Sequence, residues 1–208
     1  MKIKNLVEEE IFKIEPGKIF TYKELNTYLS NPATTLKVVG LLVKRKEIKR
    51  FIPGQFYRPK KGIFGELHLS DAEKIRSFTY LNGELKGYVT GMALYNSLCL
   101  TTQVPKTIII ASNKTSKIKN FGTINIKLIK SRCIISEFNR EYLEILDFIS
   151  DVNKIPEATS NDIIEILAKK IKNNEENVYQ LVNLSLSYSR LTQKRLKMLL
   201  EEINSRNI

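Results

Sequence analysis

Basic side chains are concentrated in one part of this 208-residue chain, whose formal net charge is +12. Residues 1–65 hold 14 Lys and Arg against 6 Asp and Glu. Nine of these basic residues lie between positions 37 and 61, where Glu47 is the single acid: Lys37, Lys44, Arg45, Lys46, Lys49, Arg50, Arg58, Lys60 and Lys61. Ammonium and guanidinium groups bind phosphate oxygens, so this clustering predicts a polyanionic partner. A solubility charge on a lysine-rich protein is the alternative, and composition alone does not separate the two.

Side chains that could carry out catalysis are few. His68 is the only histidine, and Cys99 and Cys133 are the only cysteines. They lack the spacing of a zinc site, and the chain has no glycine-rich phosphate loop and no G-x-S-x-G motif. Both cysteines stand in apolar runs and are expected to be buried. We therefore expect no enzymatic activity, no cofactor and no metal site.

Carboxylates are the remaining candidate ligands of a catalytic metal ion. Asp71 and Glu73 lie in the first turn of a predicted helix, where the helix dipole stabilises negative charges. Glu141, Glu144 and Asp147 share one face of a later predicted helix, which is interpreted as solvent-facing. A metal-dependent enzyme that modifies nucleic acid, targeted by the basic region, is kept as the alternative function.

The distribution of apolar residues bears on the compartment. The sequence has no run of 18 apolar residues, so no membrane span is predicted. The N-terminus turns acidic at Glu8-Glu9-Glu10, where a signal peptide would stay apolar. We expect a cytoplasmic protein without a membrane partner.

The elements that position the basic residues can be predicted in order. Apolar spacing over 3–14 indicates a helix that Pro16-Gly17 ends. Ile19-Phe20 is extended, and Thr21 with Glu24 forms a capping box that opens a second helix through Leu29. Leu25, Tyr28 and Leu29 are expected to face inward.

A third helix is predicted from about Ala33 to Lys46, with Asn31 as its cap and Pro32 at its first position. Its buried stripe is predicted to contain Leu36, Val39, Leu42 and Val43. Alternation over 48–58 around Pro53-Gly54 predicts a β-hairpin, which Phe56 or Tyr57 closes onto the third helix. Pro59 and Gly62 then indicate a linker.

Helix, strand, helix, turn, helix and hairpin is the element order of a winged helix-turn-helix, which places its third helix in the major groove of DNA. Thr34, Thr35, Lys37 and Val38 are the predicted base contacts. The predicted contacts to phosphates and neighbouring groups are Thr21, Tyr22, Lys44, Arg45, Lys49, Arg50, Arg58, Lys60 and Lys61. A module that binds protein instead is a further alternative.

The fold class predicted is α+β, with a winged helix-turn-helix DNA-binding domain over 1–64 and a mixed α/β domain over 65–208. Strands are predicted at 87–89, 106–112 and 123–129, with a hairpin-like connection over 113–122. Residues 132–135 are a possible further strand. From about residue 137 the pattern is helical.

One stretch resembles a known family. Gly87-Tyr88-Val89-Thr90-Gly91-Met92-Ala93-Leu94-Tyr95-Asn96-Ser97-Leu98, with Thr101-Thr102-Gln103-Val104-Pro105, resembles the AbiEi-type antitoxins of type IV toxin–antitoxin (abortive infection) systems. Ile48-Lys49-Arg50-Phe51 and Gly54-Gln55-Phe56-Tyr57-Arg58-Pro59 are also similar to that family. The resemblance covers about residues 10 to 150.

The resemblance implies an autorepressor that binds operator repeats through its N-terminal domain. It also implies that the C-terminal domain counteracts a nucleotidyltransferase-like toxin, and that the protein has no enzymatic activity of its own. Two positions depart from expectation, because Lys46 and Cys99 stand where a glycine is usual after a helix. Either each residue adopts the left-handed conformation, or the helix ends differently. The polar residues around Thr90–Gln103 line either a partner surface or a capped helix and turn.

Overall fold

The computed structural model describes residues 2–155, 159–171 and 174–206. Within these ranges the chain is a mixed α+β protein with several small sheets. The predicted α+β class is therefore confirmed. It divides into two compact units, Met1–Glu84 and Leu85–Ile208. The sequence predicts a division after residue 64, whereas the structure divides after residue 84. The helix Asp71–Thr79 therefore belongs to the first unit rather than the second.

The first unit begins with helices and continues into strands. Its elements are α1 (Ile3–Lys13), β1 (Ile19–Thr21), a 3₁₀ turn (Tyr22–Glu24), α2 (Asn26–Ser30), α3 (Pro32–Lys44), β2 (Lys49–Ile52), β3 (Gln55–Tyr57), β4 (Lys60–Gly62), β5 (Gly65–Leu67), α4 (Asp71–Thr79) and β6 (Tyr80–Leu81). β1, β3 and β2 form an antiparallel sheet in that order. Gly54 has φ +82°, as a type II turn between β2 and β3 requires.

One apolar core holds these elements together. It contains Val7, Ile11, Phe20, Leu25, Val38, Val39, Leu42, Ile48 and Phe56. Phe56 lies opposite Phe20 across β1 and β3, and its ring is nearly fully buried. The prediction that Phe56 or Tyr57 closes the hairpin onto the third helix is therefore confirmed for Phe56.

The second predicted helix differs from the structure. The segment after Thr21 forms a 3₁₀ turn, and the α-helix starts only at Asn26. Leu25 is buried as expected, but Leu29 is 77% exposed. Leu25 has an extended backbone and precedes the helix, so the two leucines do not share one helical face.

The predicted linker after Pro59 is a second hairpin, in which β4 pairs antiparallel with β5. It leads into α4, which closes the free edge of β1. Glu73 accepts a hydrogen bond from the Ile19 N–H (2.6 Å), and Arg76 donates to the Ile19 carbonyl (2.8 Å). These two bonds satisfy the backbone groups of an edge residue, which explains why α4 belongs to this unit.

The second unit has a four-stranded sheet followed by helices. Its elements, after β7 (Glu84–Leu85), are β8 (Gly87–Thr90), α5 (Met92–Ser97), β9 (Thr107–Ser112), β10 (Lys119–Asn120), β11 (Asn125–Lys130), α6 (Arg140–Asp151), a 3₁₀ turn (Val152–Lys154), α7 (Ser160–Ile171), α8 (Glu175–Ser185) and α9 (Arg190–Arg206). The strand order is β10-β11-β9-β8. β8 is antiparallel to β9.

Three predictions about the strands and cysteines of this unit are wrong. β9 and β11 are parallel, so the connection over 113–122 is not hairpin-like; it contributes β10, which pairs antiparallel with β11. Residues 132–135, all described, form no strand. Cys99 is exposed and Cys133 only half-buried, because the apolar runs around them end in turns.

Lys46 and Cys99 both adopt the left-handed conformation, with φ of 61° and 60°. Each follows a helix in the same hydrogen-bonding pattern. After α3, the Lys46 N–H donates to the Val43 carbonyl and the Glu47 N–H to the Leu42 carbonyl, both at 3.0 Å. This is a Schellman motif, in which glycine is the favoured residue at the left-handed position.

We expect Lys46→Gly to raise the free energy of unfolding by about 0.5–1 kcal/mol, because it relieves the steric strain of a side chain at positive φ. Lys44→Gly removes the same charge from within α3 and should lower it by about 1 kcal/mol. Urea denaturation measures both. Equal changes in the two variants would contradict the assigned strain.

Candidate nucleic-acid interface

α3 presents one continuous face to solvent. The face is formed by positions three or four residues apart: Ala33, Leu36, Lys37, Gly40, Leu41 and Lys44. Leu36 and Leu41 are each 43% exposed. A Cβ added at Gly40 would meet nothing within 4 Å, so the middle of this face is open. The face therefore combines two ammonium groups with apolar side chains and a site of close backbone approach.

The buried face of α3 is rotated from its predicted position. Thr35, Val38, Val39 and Leu42 are buried, whereas Leu36 is not. Thr35 satisfies its hydroxyl by donating to the Asn31 carbonyl (3.0 Å). Val39 and Leu42 are buried as predicted, so the face is rotated by less than the step of about 100° between neighbouring residues of a helix. The prediction that Thr35 and Val38 contact bases is therefore wrong, because both side chains are buried.

Thr34 and Lys37 keep positions compatible with a contact. Thr34 is half-buried and Lys37 is exposed. Asn31 precedes the helix as predicted, but its side chain makes no capping hydrogen bond, whereas Pro32 occupies the first position as expected. The N-terminal half of α3 therefore retains two of its four predicted base contacts.

Four other predicted basic contacts are exposed on neighbouring elements. Arg45 follows α3 and lies 3.9 Å from Glu8 and 3.8 Å from Glu47. Arg50 is on β2, 5.7 Å from the centre of the Phe56 ring. Lys60 and Lys61 are exposed on β4. Together with Lys44, they place exposed basic side chains on one helix and two hairpins of this unit.

Lys49 is engaged within the fold. Its ammonium lies 2.6 Å from a Glu66 carboxylate oxygen, which ties β2 to β5. The hydrogen bond to Glu66 raises the pKa of Lys49 above its ordinary value. Its charge is therefore compensated locally, and Lys49 contributes less to binding a polyanion than its position in the sequence predicts.

Arg58 has a structural position as well. Its guanidinium donates to the Phe12 and Ile14 carbonyls, at 2.6 and 2.8 Å, and lies 5.2 Å from the centre of the Phe12 ring. A cation at this place donates hydrogen bonds to the carbonyls at the end of α1, and it interacts favourably with the negative end of the helix dipole. Arg58 is thus held by the fold rather than free for a ligand.

Thr21 and Tyr22 are also occupied by contacts inside the unit. The Thr21 hydroxyl donates to Asn82 (2.7 Å), and its N–H donates to Glu24 (3.2 Å). Tyr22 stacks on Tyr28 at 5.8 Å and meets the edge of Phe56 at 5.0 Å. Burial raises the pKa of Tyr22, against the lowering effect of Arg50.

The structure exposes apolar residues that the sequence pattern either placed in the core, as for Leu36, or did not single out. These are Leu36 and Leu41 on α3, and Ile63 and Phe64 at the tip of the β4–β5 hairpin. α3 is apolar around much of its circumference, so periodicity alone allows more than one buried face. Gly62 and Gly65, which flank Ile63-Phe64, were available as a hairpin signal.

In the second unit, Asp147 is the centre of a buried polar cluster. One carboxylate oxygen accepts hydrogen bonds from Tyr88 (2.9 Å) and Thr90 (2.7 Å), and the other accepts from Tyr188 (2.8 Å). The prediction that Asp147 faces solvent is wrong, because α6 packs this side against β8. Glu141 is exposed and Glu144 half-buried.

Burial raises the pKa of Asp147, while the hydrogen bonds from Thr90, Tyr188 and Tyr88 oppose the rise. Burial and the Asp147 charge raise the pKa of Tyr88 and of Tyr188 well above their ordinary value. The tyrosines therefore remain protonated donors to the carboxylate. The cluster joins β8, α6 and the segment between α8 and α9.

A cleft of about 270 Å³ opens beside this cluster, lined in part by Lys130, Arg132, Asp147 and Asp151. The carboxylate oxygens of Asp147 already accept hydrogen bonds from the protein. Among the described residues, no three His, Cys, Asp or Glu side chains are grouped so that they could hold a metal ion. These hydrogen bonds give Asp147 a structural role beside the cleft.

The polar residues of the stretch that resembles the antitoxin family make local bonds. Asn96 donates to the Thr101 carbonyl (3.0 Å), and the Gln103 N–H donates to the Thr101 hydroxyl (3.2 Å). These contacts favour the interpretation as a helix and turn, although α5 begins after Gly91 without a side-chain capping hydrogen bond and the Thr90 hydroxyl is bound to Asp147 instead. Thr102 and Gln103 are exposed.

Comparison with known proteins finds no family model that matches the chain and no significant match among the curated proteins. No helix in the described ranges has both the length and the apolar character needed to cross a membrane.

We expect Asp147→Ala to lower the free energy of unfolding of the second unit by about 3 kcal/mol, because three hydroxyl donors lose a charged acceptor. Glu201→Ala is the matched control, since it removes an exposed helical carboxylate of the same unit. The control should change the unfolding free energy by less than about 0.5 kcal/mol. Urea denaturation measures both, and a similar small effect for Asp147→Ala would show that the cluster contributes little.

Proposed function

We propose that the chain is a cytoplasmic DNA-binding autorepressor and antitoxin of a type IV toxin–antitoxin system. In this proposal the first unit is a winged helix-turn-helix that binds double-stranded operator DNA. The second unit counteracts a nucleotidyltransferase-like toxin. The single observation that carries the DNA-binding part is the exposed α3 face with Lys37 and Lys44, which is followed along the chain by the exposed residues Arg50, Lys60 and Lys61.

The element order supports the winged-helix assignment. Three helices, with a short strand after the first, are followed by a hairpin that pairs with that strand in the order β1-β3-β2. In this architecture the third helix lies in the major groove and the hairpins contact the adjacent backbone. α3 and its two following hairpins carry the excess positive charge, which fits that arrangement.

The α3 face supplies distinct contacts. Lys37 and Lys44 are seven residues apart, about 10 Å along the helix, and can bind phosphates or guanine edges at separate positions. Leu36 and Leu41 offer methyl groups to thymine methyls, and Gly40 allows close approach of the sugar–phosphate backbone. Thr34, nearer the start of the helix, is the remaining candidate for hydrogen bonding to a base.

The antitoxin part of the proposal comes from the resemblance of residues 87–105 to the AbiEi-type family. Exposed apolar side chains of the second unit, Ile134 and Phe138 among them, are compatible with a protein partner. Whether the partner is a toxin is tested by expressing the adjacent nucleotidyltransferase-like gene with and without this chain. Growth rescue by the chain is expected, and rescue by an unrelated basic protein would contradict specificity.

Leu29, Leu36 and Leu41 favour a second candidate, in which the first unit binds a protein. Such binding would depend weakly on salt, because apolar contacts release few ions. Binding to DNA is steeply salt-dependent. The salt dependence of binding therefore distinguishes the two functions.

We expect the full chain to bind the DNA upstream of its own gene in a gel-shift assay at low salt. If five basic groups contact phosphates, the logarithm of the affinity should fall with the logarithm of salt concentration with a slope of about −4 to −5. A lack of binding at low salt, or a slope near zero, would contradict the proposal.

Lys37→Ala combined with Arg50→Ala should abolish detectable binding and leave the fold intact, because both side chains are exposed and outside the core. Arg190→Ala combined with Lys194→Ala is the matched control, since it removes one exposed Arg and one exposed Lys from the second unit. The control should bind like the unchanged protein. Equal losses in both double variants would indicate only a net-charge effect.

A further inference from the structure

The β4–β5 hairpin exposes two large apolar side chains at its tip. Ile63 is 97% exposed and Phe64 is fully exposed. Gly62 pairs with Gly65 across the two strands, so Ile63-Phe64 forms the whole two-residue turn. Neither side chain contributes to the core of the unit. An adjacent exposed pair of this size is typical of a contact site.

The hairpin is anchored to the rest of the first unit. Its second strand is tied to β2 by the Lys49–Glu66 ion pair at 2.6 Å. Just before its first strand, the Arg58 carbonyl accepts a hydrogen bond from the Gly17 N–H (2.8 Å). The hairpin is therefore attached to the β1-β3-β2 sheet, which also contains Arg50.

The charges around the tip are positive. Lys60 and Lys61 are exposed on the strand that leads into the turn. Glu66, on the returning strand, is compensated by Lys49. A hairpin with an apolar tip and positively charged strands is complementary to a DNA groove. The walls of the groove are phosphates, and its floor is formed by the edges of the stacked base pairs.

We propose, resting on the DNA-binding function above, that Phe64 and Ile63 insert into the minor groove of duplex DNA beside the segment contacted by α3. Lys60 and Lys61 bind the phosphates that border the insertion. Insertion of the Phe64 ring partly unstacks a base step and bends the duplex. The hairpin thus adds DNA deformation to recognition by α3.

The chain has no tryptophan, so Phe64→Trp places a single reporter at the tip. The full chain carrying this change is titrated with the duplex upstream of its own gene. Stacking against bases should quench the tryptophan emission. Dyes at the two ends of the duplex should show increased energy transfer when the protein without this change bends it.

Ile63→Ser combined with Phe64→Ser should remove the bend and weaken binding about tenfold, since the wedge is lost while the phosphate contacts remain. Ile118→Ser combined with Tyr179→Ser is the matched control. It removes one aliphatic and one aromatic side chain at exposed positions of the second unit and should leave both readouts unchanged. Thermal unfolding of both variants checks that the fold is retained.

The outcomes separate this inference from the function on which it rests. DNA binding by the unchanged protein, with equal affinity and bend in the Ile63→Ser, Phe64→Ser double variant, overturns the inference alone. Absence of DNA binding by the unchanged protein overturns both. A blue shift of the tryptophan emission of the Phe64→Trp variant with phosphatidylglycerol vesicles, without quenching by DNA, would assign the tip to a membrane surface and overturn the inference.

Discussion

Burial of one face of α3 is the constraint on which the rest of the first unit depends. Val38, Val39 and Leu42 pack with residues of α1 and β3 in a single core, and Thr35 joins them by bonding its hydroxyl to the preceding turn. Each fully buried aliphatic side chain contributes about 1.5–3 kcal/mol. The rotation of α3 is therefore strongly determined, and with it the identity of the side chains that remain exposed.

Polar contacts then fix the elements around this core. Glu73 and Arg76 satisfy both backbone groups of Ile19, so α4 covers an edge that would otherwise be open to pairing. Arg58 satisfies carbonyls at the end of α1, and Lys49 holds the second hairpin through Glu66. Some basic residues thus stabilise the fold, and this division of roles leaves a smaller set free to meet phosphates.

The sequence predicts most of the elements of the first unit because their boundaries are marked by local signals: Pro16-Gly17, Pro32 and Pro53-Gly54. It predicts Val39 and Leu42 on the buried face of α3, but it places Leu36 there rather than Val38, because both fit an apolar stripe. The parallel pairing of β9 with β11 and the burial of Asp147 were also missed. Both depend on partners distant in the sequence, such as Tyr88 and Tyr188, which a local pattern does not reveal.

In the proposed function, the first unit binds duplex DNA through the exposed face of α3. Amide chemical shifts of the full chain, followed by NMR during titration with the upstream duplex, report such binding residue by residue. The largest changes are expected between Ala33 and Lys44 and in the two following hairpins. Changes confined to α8 and α9, or no changes at low salt, would contradict it.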